Sequence, residues 1–149
     1  METIQNIEYT IRNITFTIPE YLKELIKAIE KSAYILDLEY DFDDNKSLSY
    51  NIKTWEKSIN FIINFGKYVY ENYGQIILIP KIYHGKSGGI DLLWENNNSD
   101  CKIFIRLDEY VMKGNFIGYT RTQETTGDFH VSNINFTLLP IPISKTLTN

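Results

Sequence analysis

The chain has 149 residues, 43% of them hydrophobic and 14% aromatic, with charged residues at 23% and a formal net charge of −4. That composition excludes a disordered chain, and at this length folding buries roughly 70% of the unfolded surface, so one domain with its own core is expected over 1–149. The acidic balance argues against broad phosphate-backbone binding, which needs a basic patch, and the lone Cys101 excludes an intrachain disulfide or a cysteine-built zinc site.

The segment METIQNIEYT lacks the basic and apolar regions of a signal peptide, and no apolar run approaches the roughly 20 residues of a membrane span. A cytoplasmic protein with no membrane association is expected. Ile7, Tyr9 and Ile11, then Ile14, Phe16 and Ile18, alternate as strands do, with a phase slip at Arg12-Asn13 that marks a tight turn or a bulge. Thr17-Ile18-Pro19-Glu20 has capping-box spacing with proline in the first helical turn, so a helix is expected to start there. Leu22, Leu25, Ile26, Ile29, Ala33 and Leu36 give it one apolar stripe, with Lys23, Lys27, Glu30 and Lys31 on the wet side.

The spacing predicts a second helix over 53–73, with Trp55, Ile59, Ile62, Gly66, Val69 and Tyr73 on one face. Phe61, Phe65 and Tyr68 widen its apolar surface, so it is either buried on two sides or offered to a partner. Gly74 reads as its C′ residue. From Gln75 the period changes to two, over about 76–83, 89–95, 102–107, 113–120 and 129–139. The expected fold class is α+β, with two helices packed on one face of an antiparallel β-meander of about five to six strands.

Residues 84–95, HGKSGGIDLLWE, contain both the Gly-Lys-Ser tail of a phosphate-binding loop and a Gly-x-Ser-x-Gly nucleophile elbow. Both motifs require a helix directly afterwards, to present its N-terminus to a phosphate or to expose the serine. A strand follows instead, and Pro80 stands where the phosphate loop needs its first glycine. Cross-strand register explains the stretch better. If 97–100 is a four-residue turn, Asp91 faces Arg106, Leu93 faces Phe104 and Glu95 faces Lys102, while Ile90, Leu92 and Trp94 face Leu107, Ile105 and Ile103. Both faces are then satisfied at about 0.2–1 kcal/mol per pair, and a slip of one residue would turn the apolar row to solvent. Residues 84–89 therefore read as a hairpin turn.

Asp41, Asp43, Asn45, Ser47 and Ser49 fall at calcium-loop spacing, yet Lys46 replaces the turn glycine and Ile52 the bidentate glutamate. The run that includes Asp41, Asp43 and Asp44 reads as a solvated loop suited to a basic partner, with no metal and no cofactor expected. His84 and His130 are the only histidines, so a metal-independent nuclease would have to use both, with Arg106 or Arg121 as electrophile. Cys101 alternates with Ile103 and Ile105 as a small core residue does. Phe104, Phe116, Tyr119, Phe129 and Phe136 lie on strand-like runs and could stack bases as an RNA-binding sheet does, although the shortage of arginine favours a core or protein-binding role.

Three blocks together resemble a family of small uncharacterised prokaryotic α+β proteins, over about residues 37–130. They are Tyr40-Asp41-Phe42-Asp43-Asp44 with Thr54-Trp55-Glu56, then Pro80-Lys81-Ile82 with Gly88-Gly89-Ile90-Asp91-Leu92-Leu93-Trp94-Glu95, and finally Phe116-x-Gly118-Tyr119 with Gly127-Asp128-Phe129. The resemblance implies the α+β meander and supplies no activity or catalytic residue. The expected function is a non-enzymatic protein-binding module, an accessory or neutralising partner of an effector in a mobile or defence-type locus. Its contacts are expected at Asp41, Asp43 and Asp44 and at the hairpin residues Asp91, Trp94, Glu95 and Arg106. The competing expectations are the nuclease using His84 and His130, and a single-stranded RNA binder on the sheet face.

Overall fold

A computed structural model describes residues 4–38, 50–85, 88–96, 101–107, 113–119 and 124–130, with side chains as far as Trp94. The class is α+β with antiparallel sheets. Strands β1 (Asn6–Ile11) and β2 (Ile14–Pro19) form a hairpin that is a sheet of its own. The phase slip is a two-residue turn: Arg12 and Asn13 both have positive φ, 53° and 64°, the conformation whose twist matches a right-twisted ribbon.

The expected capping box does not form. Thr17 belongs to β2 opposite Glu8 and donates its hydroxyl to the Glu8 carboxylate at 3.0 Å, so its side chain is committed across the hairpin. A 3-10 turn follows at Glu20–Leu22 with no side-chain cap, and the first α-helix, α1, runs Leu25–Ser32 before tightening into a second 3-10 segment, Ala33–Asp37. The three-residue turn shifts the apolar stripe: Ser32 and Ile35 are buried, while Leu36, expected inside, is only partly so.

Helix α2 (Ile52–Tyr73) starts at Asn51, whose side-chain oxygen accepts the Lys53 N–H at 2.7 Å, and closes on left-handed Gly74, whose N–H donates to the Tyr70 carbonyl. It is buried on two sides. Trp55, Ile59, Ile62 and Val69 form one buried row and Phe61, Ile63 and Phe65 widen it, whereas Tyr73, expected on the same face, is exposed. Gly66 lets Leu22 close on the helix, since a Cβ there would lie 2.7 Å from Leu22 Cδ1. Trp55 packs edge-on against Phe16, with ring centroids 5.8 Å apart, and donates its indole N–H to Ser32 Oγ at 2.9 Å. Its one polar atom is thereby satisfied inside the core.

The second sheet holds β3 (Lys81–His84), β4 (Ile90–Asn96), β5 (Cys101–Leu107), β6 (Lys113–Tyr119) and β7 (Glu124–His130), each paired antiparallel with the next. The β4–β5 register pairs Asp91 with Arg106, Leu93 with Phe104, Glu95 with Lys102 and Trp94 with Ile103, as expected from the two-face argument. Two boundaries differ from expectation. The first ladder begins only after Pro80, which has no N–H to donate. The last described strand is 124–130, carried by β-branched Thr125 and Thr126, which lack the apolar alternation that pointed to 129–139. Residues 131–139 of that run lie outside the described residues.

Candidate functional site

Gly85 donates its N–H to the Gly89 carbonyl at 2.7 Å, closing the connection from β3 to β4. A strand therefore follows the Gly-Lys-Ser stretch, and neither the phosphate loop nor the nucleophile elbow has the helix it needs. Behind this turn, Tyr50 is buried and donates its hydroxyl to the Gly85 carbonyl at 2.7 Å. The half-buried His84 holds its Nδ1 3.0 Å from the Tyr34 hydroxyl and meets the rings of Tyr34 and Tyr50 edge-on. Three aromatic rings thus fix the β3 end of the turn.

Asp91 and Trp94, expected on an exposed contact face, are both buried, at 7% and 1% exposure. Position 91 pairs with Tyr83 beside the turn, and the turn folds over it: a Cβ at Gly85 would lie 2.8 Å from Asp91 Oδ1 and 3.0 Å from the Gly89 carbonyl. Glycine at 85 is what lets the backbone approach the carboxylate. Trp94 packs against Phe65 of α2 and donates its indole N–H to the Leu78 carbonyl at 2.8 Å, which makes it a core residue. Glu95 and Arg106 keep their expected strand pairings, with Lys102 and Asp91 respectively. Asp41, Asp43 and Asp44, and with them the calcium-loop positions through Ser49, lie outside the described residues, as do Arg121 and Phe136.

His84 and His130 are not brought together. His84 ends β3 and His130 ends β7, the two outer strands of the five, so about four spacings of roughly 4.8 Å, some 19 Å, separate their backbones. An acid–base pair acting on one phosphodiester needs both groups within hydrogen-bonding reach of it.

A groove of about 490 Å³ lies between α1 and the edge strand β3. From the helix side, Glu24, Lys27, Ala28 and Lys31 reach it at i, i+3, i+4 and i+7, one stripe of α1, and Tyr34 extends the stripe by another turn. The opposite wall is 79–83, five consecutive residues. A cavity over a sheet face would meet alternate residues only, so this one runs along the strand's rim. Pro80 and Ile82 are buried and give an apolar floor, while Tyr34 and Tyr83 keep 42% and 40% exposure at its margin.

The charge of this groove opposes that of the chain. Lys27, Lys31 and Lys81 stand against Glu24 in a chain of net charge −4, and among the described residues none of the three lysines has an ion-pair partner. Sequence reasoning placed Lys27 and Lys31 on a wet face and went no further. The available signal was the second helical stripe, 24-27-28-31, but the strand that completes the groove lies far along the chain.

Comparison with family models, curated proteins and solved structures gives no match. No helix of the described residues is long and apolar enough to cross a membrane.

Proposed function

We propose that the protein is a non-enzymatic protein-binding module, an accessory or neutralising partner of an effector protein. The observation that carries this reading is the groove between α1 and β3, which combines an apolar floor, two half-exposed tyrosines and three lysines with no ion-pair partner among the described residues. Aromatic rings on a rigid frame with a charged rim are what protein recognition sites use. The wide apolar face of α2 supports the core instead, because Phe61 and Phe65 are 3% and 2% exposed. On this reading the two helices cover one face of the meander, and β3 is left at the edge to border the groove. The resemblance to small prokaryotic α+β proteins fits that layout and adds no chemistry.

The placement of His84 and His130 on the two outer strands of the sheet lends the nuclease alternative no support. The RNA-binding alternative rests on strand aromatics beyond Trp94, and no observation in the described region favours it.

The test is a pull-down of the tagged full-length chain from native extract at physiological salt, followed by mass measurement of the eluted complex. A protein recovered in fixed stoichiometry is the expected outcome. A bait that elutes alone, or with nucleic acid, overturns the reading.

A further inference from the structure

We propose that the groove between α1 and β3 binds an extended acidic segment of the partner protein, with carboxylates at alternate positions and an apolar side chain between them. The proposal rests on the protein-binding reading and names the chemistry of what is bound. Three observations support an extended chain over a compact small molecule.

The first is length. The helix wall runs from Glu24 to Tyr34, about 15 Å at 1.5 Å per residue, and the strand wall from Ile79 to Tyr83, about 13 Å at 3.3 Å per residue. Both match four or five residues of extended peptide. The second is spacing. Lys27 and Lys31 are one helical turn apart on the same stripe, about 6 Å along the axis, and alternate side chains of an extended chain repeat at about 6.6 Å. An acid–x–acid segment running along α1 would place one carboxylate on each ammonium group.

The third is chemistry. The intervening side chain would point the other way, toward the β3 wall, where Tyr83 and Ile82 offer apolar surface and Lys81 a third cation. Lysine on an edge strand blocks indiscriminate strand pairing, so Lys81 selects for an acidic segment while discouraging self-association of the sheet edge. None of the three lysines has an ion-pair partner among the described residues, so an incoming carboxylate displaces no ion pair of that part of the chain to reach them.

The probe is a fluorescently labelled peptide Glu-Phe-Glu-Phe-Glu, titrated with the full-length protein and followed by anisotropy. Saturable binding that weakens between 50 and 500 mM salt is expected, as is a loss of about tenfold or more in the variant carrying Lys27→Ala, Lys31→Ala and Lys81→Ala, given the modest strength of each exposed pair. Lys53→Ala, on exposed helix surface away from the groove, should bind as wild type, and thermal melts should show all the variants folded. Undetectable binding of the probe overturns the proposal. So does equal binding by the triple variant, equal binding of a Gln-Phe-Gln-Phe-Gln peptide, or tighter binding of adenosine monophosphate or of a single-stranded oligouridylate at the same lysines. A partner recovered by pull-down that the triple variant retains would remove the groove and leave the module reading standing, whereas a partnerless bait removes that reading itself.

Discussion

The two sides of α1 carry the same helical spacing and have opposite fates. On one, Leu25 and Ile29 are fully buried in the hydrophobic core, and Ser32 on the same side accepts the Trp55 indole N–H from α2. On the other, Glu24, Lys27, Ala28 and Lys31 line an open groove against β3. Periodicity identifies both stripes and says which one is wet. It says nothing about whether the wet stripe faces open solvent or the wall of a site, because that depends on where β3 packs. Stability should therefore depend on the first side and binding on the second, and substitutions that separate the two test the division.

The largest effect is expected from Trp55→Ala. Removing a fully buried indole that packs on Phe16 should lower stability by about 3–5 kcal/mol, read as a shift of the denaturant midpoint at constant slope. A loss below about 1 kcal/mol would mean that the covered side of α1 is not the core. Ser32→Ala comes next. It strands the buried Trp55 N–H without its acceptor and should lose about 1–3 kcal/mol. The double variant with Trp55→Phe, which removes the donor as well, should lose less than the sum of the single changes; additivity would show that the 2.9 Å contact contributes nothing in solution.

What the sequence revealed and what it hid divide along the same line. The β4–β5 register was legible because Asp91 opposite Arg106 and Leu93 opposite Phe104 constrain one face while Ile90, Leu92 and Trp94 constrain the other, and only one alignment satisfies both. The length and caps of α2 follow from its uninterrupted stripe and from Gly74. The burial of Asp91 was not legible: alternation tells which residues share a face, and the Gly85–Gly89 turn that folds over this face is a tertiary fact. The supposed capping box failed for a related reason, since the Thr17 hydroxyl had a competing partner, Glu8, that only the hairpin register reveals. The groove needs two segments at once, 24–34 and 79–83, and neither one announces a site alone.

Lys27→Ala with Lys31→Ala sharpens the comparison from the open side. Both side chains are exposed and unpaired among the described residues, so their removal should move stability by no more than about 0.5 kcal/mol. Destabilisation beyond about 1 kcal/mol would mean that the lysine stems support the fold, and the two sides of α1 would no longer divide stability from binding.

The smallest effect belongs to the ion pair that fastens the hairpin to the end of the segment after α1. Arg12 meets Asp37 through both guanidinium nitrogens, at 3.0 and 2.6 Å, and Arg12 Nη2 also reaches the Ala33 carbonyl at 3.5 Å. The fork holds the Asp37 carboxyl below its usual range, chiefly through the hydrogen bonds from Arg12. A carboxyl whose folded pKa is depressed stabilises the fold only while ionised. Its contribution is complete above the unfolded value of about 3.9 and is lost as pH falls through the lower folded value. Asp37→Asn should therefore be slightly less stable than wild type at pH 7, and the two melting curves should converge as pH falls through the lowered Asp37 value. The pair is solvent-exposed, at 39% and 63% for the two side chains, so the difference should also shrink in 1 M salt. A gap that survives both acid and salt would show that packing around Asp37, and not its charge, fastens the hairpin, and the boundary of the covered side would then extend beyond Ala33 to the end of the 3-10 segment.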